Sequence, residues 1–130
     1  QSDRVENFRK INTELTERLH EKAYLNAYTY YKTGKYKSAI VAFKNALKQY
    51  PESKRREEIM YLIVDSGYRL ASNSISEKQT DRYLSMLDSY LSFKEEFPES
   101  KYTKEVDRMA KHARDYLDRN KKDEDKDNNI

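Results

Sequence analysis

The chain has 130 residues, 38% charged and 36% hydrophobic, with a formal net charge of +3 and a mean hydropathy of −1.17; this fits one domain whose surface is large relative to its core. Two Gly and two Pro leave little turn chemistry for a β fold, and no apolar run reaches the roughly 18 residues of a membrane span. The lack of Cys excludes disulfides, thiol catalysis and zinc–thiolate sites.

The chain opens on Gln1-Ser2-Asp3 with no Met and no visible secretory signal, which is expected of a fragment or processed product. From Val5 onward Phe8, Ile11, Leu15, Leu19, Ala23 and Ala27 recur at three- and four-residue steps, the period of one helix face. No Gly or Pro interrupts Asp3 to Lys32, which predicts one helix over 3–32, about 45 Å long. Thr13 and Thr16, modest helix formers, mark where it would break. Gly34 supplies the positive φ of a tight exit. A second helix over 36–50 places Ala39, Ile40, Phe43, Ala46, Leu47 and Tyr50 on one face, and Pro51 stops it. Lys37, Lys44 and Lys48 fall together on the opposite face, within about 40° of one another. The plainer reading of such lysines is a solvated helix face.

Residues 20–51 resemble a tetratricopeptide repeat, a helix-turn-helix unit of about 34 residues. Ala27, Tyr30, Gly34, Tyr36, Ala39, Phe43, Ala46 and Pro51 fall in its register, and Asn26 departs from it, standing where Leu is usual. The resemblance implies an all-α solenoid of antiparallel helix pairs. Some such domains bind a terminal carboxylate through a Lys and an Asn one turn apart. Those positions are Tyr24 and Tyr28 here, while Lys22 and Asn26 lie on another face.

The motif PESK occurs at Pro51 and Pro98, and Ser2, Ser53 and Ser100 read as N-caps. The spacings of 51 and 47 residues exceed an ordinary repeat, so each unit carries an extension. A third helix over 54–71 is the most apolar, through Ile59, Met60, Leu62, Ile63, Val64 and Leu70. Gly67 stands where a large aromatic is usual, so either Tyr68 supplies the bulk or the helix loosens. Ser72 to Ser76 reads as a loop, with Ser74 or Ser76 capping a fourth helix over 77–97. The extra residues of Ser72–Arg82 are expected to project beyond the repeat and to bear on partner choice. A last helix over 101–118 is expected to cap the solenoid, and residues 119–130 read as a mobile or weakly helical charged tail. The units are therefore about 1–52 and 53–99, the cap 100–118. The expected core includes Ala27, Tyr30, Ala39, Phe43, Ala46, Leu62, Ile63, Leu87, Tyr90 and Met109.

Neither His20 nor His112 has a metal-ligand partner one turn away. There is no glycine-rich phosphate loop or nucleophile elbow. The expectation is a protein without catalytic, cofactor or metal sites. Partner-binding candidates are Tyr24, Tyr28 and Tyr31 on the concave side, their counterparts Tyr61 and Tyr68, and the basic residues Lys37, Lys44, Lys48, Arg55 and Arg56. Tyr combines apolar area with a polar tip, which suits interfaces; the plainer reading is that some of these rings pack between helices. From Lys32 to Arg56 eight residues are basic and only Glu52 is acidic, while the remainder carries 18 basic and 22 acidic residues. That segment has no nucleic-acid reading motif, and no nucleic-acid partner is expected.

The long first helix, ASNSISEKQTDRY with Glu77, Lys78, Gln79, Arg82 and Tyr83, and the repeated PESK together resemble the BamD family of outer-membrane assembly lipoproteins in its Bacteroidetes form, over roughly Gln1 to Leu117. The resemblance implies a scaffold on the periplasmic face of the outer membrane. Its partners would be a BamA-type barrel assembly protein, other assembly subunits and, through earlier repeats, unfolded outer-membrane proteins. Membrane contact would come only through a lipid anchor that this sequence lacks. The chain resembles the C-terminal half, which docks onto the barrel protein's periplasmic domains. The alternative is another tetratricopeptide adaptor of the periplasm or cell envelope.

Overall fold

The computed structural model describes residues 2–129. Among them are five helices and no strand: α1 (Ser2–Lys32), α2 (Tyr36–Gln49), α3 (Arg56–Ser72), α4 (Ser76–Glu96) and α5 (Thr103–Asn128). Each packs on the next in sequence, and α5 also reaches α3. The fold is all-α and tetratricopeptide-like.

Local chemistry sets the boundaries. Gly34 adopts φ 78°, and the Lys35 N–H donates to the Tyr30 carbonyl at 2.9 Å, closing the end of α1. Tyr50 and Phe97 precede prolines and are pushed out of the helical region, with φ/ψ of −131°/68° and −128°/65°. The two PESK turns then repeat each other bond for bond. Ser53 N–H donates to Tyr50 O and Arg56 N–H to Ser53 O; Ser100 N–H donates to Phe97 O and Thr103 N–H to Ser100 O.

These turns correct the capping expectation. The Ser53 hydroxyl accepts from the Arg55 N–H at 3.2 Å, and that of Ser100 from the Tyr102 N–H at 3.1 Å. Both are local side-chain turns, while Arg55 and Tyr102 occupy the cap positions without side-chain caps. Ser2 is already helical. Ile75 stands at the start of α4, so neither Ser74 nor Ser76 caps it. Thr13 and Thr16 do not break α1, which is continuous over both; each hydroxyl donates to the carbonyl four residues earlier, at 2.9 Å, so it is satisfied without leaving the helix.

The core forms two clusters. Ala27, Ala39 and Phe43 meet Ile59, Leu62 and Ile63 in one; Met86, Tyr90, Phe93, Val106 and Met109 meet in the other. Tyr30 is a correction: it is 37% exposed, because α2 and α3 cover another face of α1 and bury Tyr24 instead. Leu87 is only half-buried, and Met86 is the fully enclosed residue of that turn. At Gly67 a Cβ would lie 3.3 Å from Met86 Cβ. Helix α3 neither loosens nor relies on Tyr68; Gly67 lets α4 approach until Met86 fills the space.

The Ser72–Arg82 segment is also more ordered than a projecting loop. Only Asn73–Ile75 leave the helices. Gln79 Nε2 donates to the Ala71 carbonyl at 3.1 Å, Tyr83 and Ser72 share a hydroxyl hydrogen bond, and Arg82 donates to the Ser74 hydroxyl. The extension folds onto its own corner. Helix α5 passes Asp118 and runs to Asn128, with Asn120 Nδ2 donating to Thr80 Oγ1 at 3.2 Å. Residues 119–128 are therefore helical, since no Gly or Pro stops them; Ile130 lies outside the described residues.

Candidate docking surfaces

Three contacts join α1 to α3 and its entry turn, each across 34 residues. The Tyr24 hydroxyl donates to Glu58 Oε1 at 2.7 Å, and the Tyr31 hydroxyl to Asp65 Oδ2 at 2.5 Å. Arg55 clamps Glu21 with both Nε and Nη2, at 2.7 and 2.8 Å. Residues at the same place in successive layers thus face each other, as stacking of a 34-residue unit requires.

The tyrosines mix structural and surface roles. Tyr24 is buried, with the Arg55 guanidinium 4.1 Å from its ring centre. Burial, then the bond to Glu58, pushes its hydroxyl well above the usual range. Burial and Asp65 do the same for Tyr31. Tyr28 is half-buried between these two rings. Tyr61 lies parallel to Tyr102 with centroids 4.1 Å apart, and Tyr68 bonds His112 Nδ1 at 2.6 Å. Of the five tyrosines, Tyr24 is lost as a contact surface, while Tyr28, Tyr31, Tyr61 and Tyr68 form half-buried rungs along the α1, α3 and α5 side.

The basic candidates divide in two. Arg55 and Arg56 turn inward: Arg55 onto Glu21 and Glu58, Arg56 onto Glu96 at 2.6 and 2.8 Å. Lys54 meets Glu17 at 2.9 Å. The basic surface therefore does not continue past Pro51, because α1, α3 and α4 all supply acids to that turn: Glu17 and Glu21, Glu58, and Glu96. Lys37, Lys44 and Lys48 stand exposed in a line on α2, and among the described residues none of them makes an ion pair.

The interlayer acids Glu21, Glu58 and Asp65 escaped the sequence reading, though complementary residues 34 apart (Glu21 with Arg55, Tyr24 with Glu58, Tyr31 with Asp65) were a usable signal. The Arg56–Glu96 pair had no such signal, since it spans an irregular 40-residue separation. Among the described residues no group of three or more His, Cys, Asp or Glu is placed to hold a metal, and no helix is long and apolar enough to cross a membrane. His20 packs against Tyr50, centroids 4.5 Å apart.

The family model described as outer membrane lipoprotein (YfiO) matches residues 6–122. No curated protein matches the chain.

Proposed function

The chain belongs to the YfiO family of outer membrane lipoproteins, and from that premise we propose that it is a non-catalytic scaffold of the outer-membrane β-barrel assembly machinery. In this reading it docks onto the periplasmic domains of a BamA-type barrel protein, at the periplasmic face of the outer membrane, in the manner of the docking half of a Bacteroidetes BamD-type lipoprotein.

The observation that carries the reading is the exposed line of Lys37, Lys44 and Lys48 on α2, unpaired while Lys54, Arg55 and Arg56 are neutralised within the fold. A row of unpaired cations on a rigid helix suits an acidic protein face. Each charge contributes about 0–1 kcal/mol alone; together they steer encounter. The half-buried Tyr28, Tyr31, Tyr61 and Tyr68 offer a second, aromatic surface on the concave side.

Pull-down of the full-length protein from an outer-membrane extract tests the partner, with retention of the barrel protein expected. Changing Lys37, Lys44 and Lys48 together to Glu tests the surface. Association should slow and its salt dependence flatten or reverse, with helicity unchanged. Binding at the original rate in low salt would leave the lysines a solvated face.

A further inference from the structure

Helices α2 and α4 both pack on α3, and between them a furrow stays open over the α3 surface. It holds two adjoining hollows of about 130 and 260 Å³, which share Lys44, Ile63 and Ser89. Both walls and the floor belong to the chain, so the furrow does not depend on what stacks before α1 or past α5. Buried Ile63 and half-buried Met60 and Leu70 make the floor, and Ile40 and Leu47 the α2 wall. The α4 wall is Ser85, Ser89 and Ser92, side chains too short to reach across. Each hollow is smaller than the roughly 300–1,000 Å³ of a small-molecule pocket and suits a single inserted side chain.

The two lips of the furrow carry opposite charge. Lys44 stands over both hollows, and Lys37 and Lys48 continue its line along α2. Asp88 borders the larger hollow from α4, and Asp81 and Glu95, seven residues to either side, share its line on that helix. All six are exposed, and among the described residues none makes an ion pair. Arg82, beside the smaller hollow, is turned onto the Ser74 hydroxyl.

We propose that the α2–α4 furrow receives one amphipathic helix of a separate protein, with an acidic edge along Lys37, Lys44 and Lys48 and a basic edge along Asp81, Asp88 and Glu95. Its apolar ridge sets large aliphatic side chains into the two hollows. This rests on the docking reading above, in which the lysines face a partner, and adds the second lip. A partner acidic throughout would meet Asp88, and one basic throughout would meet Lys44, so the two lips select a helix of mixed edges. Further repeats would stack on the ends of the solenoid and not enter a furrow between its layers, which points to a separate chain as the occupant.

The probes are three stapled helices of one length with the same leucine stripe: one with Glu along one edge and Lys along the other, one with Glu on both edges, one with Lys on both. In titrations against the whole chain, the mixed helix should bind at least about tenfold more tightly than either of the others. Lys44→Glu and Asp88→Lys, both at exposed positions, should each weaken the mixed helix about fivefold. Ser89→Phe, checked for unchanged helicity, should fill the wall common to both hollows and abolish binding. Tightest binding of the all-Glu helix, or a gain for the mixed helix after Asp88→Lys, overturns the furrow and leaves the lysine surface standing; that surface fails separately, if the barrel protein associates with the triple lysine variant at the original rate. No binding of the mixed helix up to about 1 mM overturns the proposal. Loss of its binding in the full-length protein does so too, by making a segment of the same chain the occupant. So does a dimer in sedimentation that Lys44→Glu or Asp88→Lys dissociates and a mixture of the two variants restores, which would make a second copy the occupant.

Discussion

The Tyr31 hydroxyl donates to the carboxylate of Asp65, one 34-residue layer away, and Arg69 holds the same oxygen from the other side at 2.8 Å. The Asp65 side chain is only 2% exposed, so the two layers are locked by a buried acid with two donors. Asp65→Ala would leave the Tyr31 hydroxyl and Arg69 without their acceptor, at a cost of about 1–3 kcal/mol. Urea unfolding measures it. In a double-mutant cycle with Tyr31→Phe the losses should be non-additive, and additive losses would mean that the two residues do not act as a unit.

Phe43 is fully buried between α1, α2 and α3, and Phe43→Ala should destabilise by about 3–5 kcal/mol. Tyr30, its neighbour in the repeat pattern, is 37% exposed, and Tyr30→Ala should cost about 1 kcal/mol or less. Equal losses in chemical melts would show that the face of α1 carrying Tyr30 is covered in solution.

Gly67 tests the closeness of α3 and α4. An added methyl would stand 3.3 Å from Met86 Cβ, which offsets the helix propensity that Ala gains over Gly, about 0.5–1 kcal/mol. Gly67→Ala should therefore be close to neutral. Gly67→Leu should cost about 1–3 kcal/mol through overpacking, and pairing it with Met86→Ala should recover part of that loss. Failure of the smaller residue at 86 to help would place the strain elsewhere.

Acid should loosen the layers. The bond from Arg55 lowers the Glu21 carboxyl below its ordinary 4.5, and Arg56 does the same for Glu96. Tyr90, then Lys94, lowers Asp107 below 3.8. A carboxyl with a lower pKa folded than unfolded adds stability in full above its unfolded value and loses it as pH falls through the folded one. Melting temperature should hold above about pH 4.5 and drop below it. Each pair is partly exposed and contributes about 1 kcal/mol or less. Glu21→Gln with Glu96→Gln should lower the plateau and shallow the acid slope; an unchanged slope would put the acid sensitivity in other groups.

The Ser72–Arg82 corner should prove structural. Shortening it to an ordinary turn removes the hydrogen bonds from Gln79 to Ala71, Arg82 to Ser74 and Tyr83 to Ser72, each worth about 0.5–1.5 kcal/mol. Thermal melts should show a clear loss. An unchanged melting temperature would restore the view that this segment serves only partner choice.

The sequence by itself determined the five helices, their order and the stops at Gly34, Pro51 and Pro98, but not the end of α5, which runs ten residues past the expected 118. Those follow from local rules: apolar residues at a period of 3.6, positive φ at Gly34, and prolines that force Tyr50 and Phe97 out of the helix. It also determined the small–large pattern of the first unit, with Ala27, Ala39 and Ala46 buried around Phe43. What only the tertiary structure decided is which side of each helix meets a neighbour. Tyr30 read as a core residue of the repeat and Tyr24 as a partner candidate on the concave side; the side on which α2 and α3 lie buries Tyr24 and leaves Tyr30 exposed. Arg55 and Arg56 read as free charge beside Lys37, Lys44 and Lys48 until packing brought Glu21, Glu58 and Glu96 against them. Periodicity fixes a residue's angle around its own helix, but the partner across a layer depends on where another helix stops, and that is settled only when the helices pack.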